Sequence, residues 1–120
     1  MKENNLGIDV GSVAVSVALT DEHQRVCHTG YAFHQGHITS TLQRLLRNID
    51  FKRIKAIGYT SSAHSIIRKG ISVDSRIAYI TAARHFHPEV RSLLIIGAEK
   101  YGLATFDNNG EYGNYKSNTS

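Results

Sequence analysis

The chain has 120 residues, 41% hydrophobic and 20% charged, enough for one globular domain with a modest core and too few for a multidomain enzyme. No apolar run approaches the roughly 18 residues of a membrane helix, and Glu3, Asn4, Asn5 and Asp9 break up any secretory leader, so a cytoplasmic protein without membrane attachment is expected. The net charge of +4 is dispersed over residues such as Arg44, Arg47, Lys52, Arg68 and Arg91, with no stripe interleaved with aromatics, so nucleic acid is not an expected partner.

Leu6 to Val10 is apolar around Asp9, Gly11 and Ser12 punctuate it, and Val13, Val15, Val17 and Leu19 then alternate with smaller residues. That pattern predicts a β-hairpin. After a polar turn at Thr20 to Gln24, Arg25 to Phe33 reads as a third antiparallel strand. Cys27 alternates within it and reads as a small core residue; a lone cysteine also agrees with a reducing compartment. His34 to His37 is a loop. From Ile38 the apolar residues Leu42, Leu45, Leu46 and Ile49 recur at helical spacing, with Arg44 and Arg47 toward the negative end of the helix dipole.

Ile54 to Thr60 predicts a buried strand that a helical crossover sets parallel to the first. Ser61, Ser62 and Ser65 form a polar turn, and Thr60 to Ser62 could touch a ligand, although a capping turn is the commoner role. Asp74 or Ser75 caps a second helix whose Ile77, Ile80, Ala83 and Phe86 share a face, and Pro88 stops it near His87. Leu93 to Ile96 is uniformly apolar and reads as a fifth strand buried on both faces. Leu103 to Asp107 and Glu111 to Lys116 form a hairpin about Asn109 and Gly110. No internal repeat is visible. The order βββαβαβ gives an α/β, ribonuclease H-like three-layer domain at residues 1–97, with a C-terminal β-hairpin at 98–120.

Asp9 ends the first strand directly before the Gly11, Ser12 turn, at the edge where crossover strands also end and where ligands collect. A glycine turn exposes backbone N–H groups that cradle a phosphate, and a nearby carboxylate holds the hydrated Mg²⁺ that accompanies a nucleotide. Gly97 with Ala98 makes a second small-residue turn after the fifth strand. On these residues alone a plain hairpin turn explains Asp-x-Gly-Ser more often than a phosphate site does.

The stretch Leu6-Gly7-Ile8-Asp9-Val10-Gly11-Ser12 resembles the first phosphate motif of the acetate kinase, sugar kinase and actin superfamily. More narrowly, Gly97-Ala98-Glu99-Lys100-Tyr101-Gly102, Phe106-Asp107 and Asn118-Thr119-Ser120 resemble the BadF/BadG/BcrA/BcrD-type ATPases, which include the activators of 2-hydroxyacyl-CoA dehydratases. The resemblance implies ATP or ADP with Mg²⁺, held between two ribonuclease H-like subdomains, with hydrolysis driving an electron from a bridging iron–sulfur cluster into a dehydratase or benzoyl-CoA reductase-like partner. It assigns Asp9 to the metal and its water, as the catalytic carboxylate, and Gly11, Ser12, Val13, Gly97, Ala98 and Glu99 to the phosphates.

Departures from the family pattern are local. Val13 stands where a threonine is commoner and Ser16 where a lysine is; Ile95 and Lys100 replace the two acids of the second phosphate motif. Losing a metal-side carboxylate weakens turnover more than binding. The resemblance also implies that these residues correspond to a first subdomain and the opening hairpin of a second, without the cluster cysteine. Weak ATP affinity, little activity in isolation, no bound cluster, and pairing between copies through the hairpin edges are the corresponding expectations. A sister ATPase subunit is the other implied partner. The competing reading is a catalytically degenerate scaffold of the same fold that docks a partner protein.

Ordinary chemistry explains the remaining polar residues. His34 and His37, and His85 and His87, have no cysteine or carboxylate beside them at a metal-ligand spacing, so all four read as surface imidazoles. A nuclease would need several acids converging on two metals, and Asp74 and Glu89 flank a helix instead.

Overall fold

The computed structural model describes residues 3–60, 66–97, 101–107, 109 and 111–118. Contacts divide the chain into two compact units, Met1–Val73 and Asp74–Ser120.

In the first unit the period-2 alternation builds an antiparallel meander: β1 (Asn4–Val10), β2 (Ala14–Thr20) and β3 (Val26–Phe33). Register places Leu6 opposite Leu19, Ile8 opposite Val17 and Val10 opposite Val15, so one face is continuously apolar. The intervening pairs, Gly7 with Ala18 and Asp9 with Ser16, occupy the other face. Helix α1 (Ile38–Leu45) seals the apolar face: Leu42 joins Leu6, Ile8, Val10, Val15, Val17, Ile54 and Tyr59 in one buried cluster. Gly30 allows this close approach, since a Cβ there would meet Val17 Cγ2 at 3.0 Å and Leu45 Cδ2 at 3.2 Å.

Asp50 accepts from the Lys52 N–H and caps a short 3₁₀ turn, Phe51–Arg53, which leads into β4 (Ile54–Thr60). Strand β4 runs parallel to β1, as expected for a crossover connection. Beyond it lies β5 (Ile71–Val73), also parallel, giving the sheet order β3-β2-β1-β4-β5. The fifth position of this sheet is thus filled by three residues following Gly70, and Leu93–Ile96 lies elsewhere. The turn expected at Ser61, Ser62 and Ser65 lies outside the described residues.

In the second unit Asp74 caps α2 (Ser75–Phe86), accepting from the N–H groups of Arg76 at 2.8 Å and Ile77 at 3.4 Å. His87 ends the helix one residue before Pro88. Strands β6 (Ser92–Ile96), β7 (Tyr101–Phe106) and β8 (Tyr112–Ser117) then form a second antiparallel meander in the order β6-β7-β8. Three local expectations are corrected here. The expected C-terminal hairpin is real, but β6 pairs with it instead of extending the first sheet. Strand β6 is buried on one side only: Leu94 and Ile96 are 59% and 74% exposed. On α2 only Ile80 is buried, packing with Ala104 and Phe106, whereas Ile77 and Phe86 are exposed. The helix is further tied down by Arg76 over the Tyr115 ring and Arg84 over the Phe106 ring.

The two meanders repeat one device. Each first strand is followed by a glycine, Gly11 or Gly97, and the residue two places before that glycine is Asp9 in one and Ile95 in the other. Among the described residues no helix is long and apolar enough to cross a membrane.

Candidate functional site

Register pins the turn between β1 and β2. The Gly11 N–H donates to the Ala14 carbonyl at 2.8 Å, leaving Ser12 and Val13 as the two turn residues. Two-residue hairpin loops favour primed turns with positive φ, but neither Ser12 nor Val13 has positive φ. The partner bond from Ala14 N–H back to Gly11 is replaced: the Gly11 carbonyl accepts from the His34 ring Nε2 at 3.0 Å. The Val13 carbonyl accepts from the His34 backbone N–H, also at 3.0 Å.

His34 itself is 8% exposed, so its reading as a surface imidazole is corrected. The Gly36 N–H donates to its Nδ1 at 3.0 Å. An N–H can only donate, so Nδ1 carries the lone pair and Nε2 the proton. That tautomer matches the acceptor at Gly11. Gln35 and Gly36 have φ of 48° and 85°, and His37 N–H closes onto the His34 carbonyl at 2.7 Å. Positive φ at both central positions defines a type I′ turn, which folds the Gly36 N–H under the ring. The sequence did carry a signal, a histidine two residues before a glycine at the end of β3, but the spacing has no meaning until β3 is registered beside the β1–β2 turn.

Asp9 is half-buried at the end of β1, on the face that also carries Ser16 and Gly7. Behind it, Thr60 at the end of β4 is buried, and its Oγ1 accepts from the Val10 N–H at 3.1 Å. Thr60 thus acts as a backbone support for the turn. Ser12 and Val13 are exposed and, with Phe33, His34, Gln35 and Gly36, line a pocket of about 380 Å³. Among the described residues no group of three histidine, cysteine, aspartate or glutamate side chains could hold a metal.

Of the other sequence-derived site residues, Gly97 lies exposed after β6 in the second unit. Ala98 and Glu99 lie outside the described residues. Cys27 is exposed, so the expectation of a core thiol is corrected; its Sγ–H points to the Leu19 carbonyl at 3.4 Å.

The sequence matches no protein-family profile and no curated protein. Solved structures are similar in fold. The activator of 2-hydroxyisocaproyl-CoA dehydratase from Clostridium difficile, with bound ADPNP, matches at TM-score 0.80 and 17% identity over 96% of this chain and 45% of its own. Component A of (R)-2-hydroxyglutaryl-CoA dehydratase from Acidaminococcus fermentans matches at 0.79 and 17%, over 98% and 48%. This is the actin-like ATPase fold. The ethanolamine utilization protein EutJ from Carboxydothermus hydrogenoformans shares it at 0.66 and 15% identity, over 98% and 52%. The chain thus spans about half the length of these solved structures.

Proposed function

We propose that the chain is the nucleotide-binding half of an activator-type ATPase, with the β1–β2 turn receiving the phosphates of ATP or ADP. The observation that carries this reading is the turn itself. With the Gly11 N–H spent on the Ala14 carbonyl, the exposed Ser12 and Val13 at the bend, three and four residues after Asp9, are left to present their N–H groups to an anion. It occurs in a fold whose solved neighbour holds ADPNP. In this reading Asp9 orients a hydrated Mg²⁺, Ser12 and Val13 meet the phosphates, and Gly97, Ala98 and Glu99 belong to the second phosphate turn. The bound metal would supply charge neutralisation at the phosphates.

Joined to a second lobe, such a unit would couple ATP hydrolysis to electron transfer into a dehydratase or benzoyl-CoA reductase-like partner. The chemistry of this chain gives no cluster ligand, since its single cysteine lies in β3 and does not match the family's ligand position. Titration calorimetry with Mg·ATP tests the reading on the chain as it stands. Binding weaker than about 1 μM that Asp9→Ala abolishes is expected, because half of a two-lobed cleft supplies half of the contacts. No heat at millimolar nucleotide overturns the proposal, and submicromolar binding overturns the view that a second lobe is needed.

A scaffold reading is favoured by one residue: Ile95 occupies the place in the second meander that Asp9 holds in the first. Ile95→Asp should raise Mg·ATP hydrolysis if the site is a weakened enzyme. Unchanged turnover alongside retained binding favours a docking role.

A further inference from the structure

We infer that His34 is a positioning residue for the phosphate-binding turn, a latch that aims the Ser12 N–H outward. The inference rests on the nucleotide-binding reading for its purpose but on geometry for its existence. The β1–β2 bend lacks the positive-φ residues that make a two-residue hairpin loop self-sufficient, so something outside the hairpin must hold it. His34 does so twice, through its ring to the Gly11 carbonyl and through its backbone N–H to the Val13 carbonyl.

The consequence follows from the planarity of the peptide unit. The chain has no cis peptide bonds, and in a trans peptide the C=O and the following N–H point in opposite directions. With the Gly11 oxygen fixed toward the imidazole, the Ser12 N–H is fixed away from it. Letting the Gly11–Ser12 plane rotate would turn the carbonyl, a partial negative charge, toward the space an anion must occupy. The imidazole is held in the required tautomer by the Gly36 N–H on Nδ1, and Gly36 reaches there because Gln35 and Gly36 adopt a left-handed turn. With His34 only 8% exposed, water has little access to compete for either bond.

The two ring bonds can be separated by substitution. A Gln amide at position 34 reaches as far as Nε2 and can donate to Gly11, losing the Gly36 bond. An Asn carbonyl sits where Nδ1 does and can accept from Gly36, but cannot reach Gly11. His34→Leu removes both. The full chain is compared by NMR amide hydrogen exchange and by Mg·ATP calorimetry. The latch requires a protonated Nε2 and unprotonated Nδ1 in the ring ¹⁵N spectrum of the unsubstituted protein. It also requires Gly11 N–H exchange about tenfold faster, and the Ser12 amide resonance displaced, in His34→Leu and His34→Asn, with near-normal values in His34→Gln. Mg·ATP affinity should fall about tenfold in the same two variants and recover in His34→Gln.

A purely structural role in the His34–His37 turn predicts the reverse order, Asn rescuing and Gln failing, and that result overturns the latch. So does Gly11 exchange that is unchanged in all three variants. If the unsubstituted chain binds no Mg·ATP, the nucleotide reading fails while the exchange pattern still decides the latch. If His34→Leu does not fold, the Gln and Asn pair carries the comparison.

Discussion

At the scale of single residues, backbone conformation sets the sharpest constraints. Gly36 sits at φ +85° with open space around its missing Cβ, so Gly36→Ala meets no clash and only conformational strain. A cost of about 1–2 kcal/mol in urea unfolding is expected. Gly70 is different: at φ +114°, an added Cβ would lie 2.6 Å from the Ile57 carbonyl oxygen. Gly70→Ala should therefore destabilise more than Gly36→Ala, and equal midpoints for the two variants would contradict this. The Asp21 carboxyl is held below the ordinary carboxylate range, first by the Arg25 backbone N–H and also by the His23 N–H, both of which donate to it. A depressed folded pKa means that its contribution is present above the unfolded value and is lost as pH falls through the folded one. The Asp21 side-chain carbonyl resonance should thus titrate below that of an unstructured aspartate, and Asp21→Asn should make the β2–β3 turn insensitive to acid.

At the scale of elements, what could be read from the sequence was whatever local chemistry dictates. β1, β2, β3 and β4 follow from alternation and turn residues, and α2 from Asp74 before it and Pro88 after it. Asp74→Ala should cost about 1 kcal/mol by removing the acceptor for two helix N–H groups, readable as a lower thermal midpoint. Leu42→Ala should cost about 2–5 kcal/mol, since Leu42 is the buried contribution of α1 to the first core. Strand β5 was illegible because three residues carry no period, and β6 was misplaced because five nearly all-apolar residues hide which face is buried. Asp9, Gly11 and Ser12 were legible as a turn with an acid. The support from His34 and Thr60 was not, because it comes from β3 and β4, which only the tertiary register brings beside the turn.

At the scale of the whole molecule, comparing the two meanders shows what each leaves uncovered. In the first unit the face bearing Ile8 and Val10 is closed by α1. In the second, the matching positions before the glycine are Leu94 and Ile96, and both are exposed. Their cross-strand partners, Leu103 and Tyr101, are exposed as well, so four large apolar side chains share one open sheet face. The opposite face, with Ala104 and Phe106, is covered by Ile80 of α2. Strands β6 and β8 are also the two edges of their sheet. An apolar face between two open edges favours association of the chain with itself. Light scattering over a concentration series should therefore show mass rising above the monomer, and Ile96→Lys should return it to the monomer without loss of folding, since this side chain is 74% exposed. A chain that stays monomeric up to high micromolar concentration would show that the face is solvated as it stands, and that the one-sided burial of β6 carries no tendency to pair.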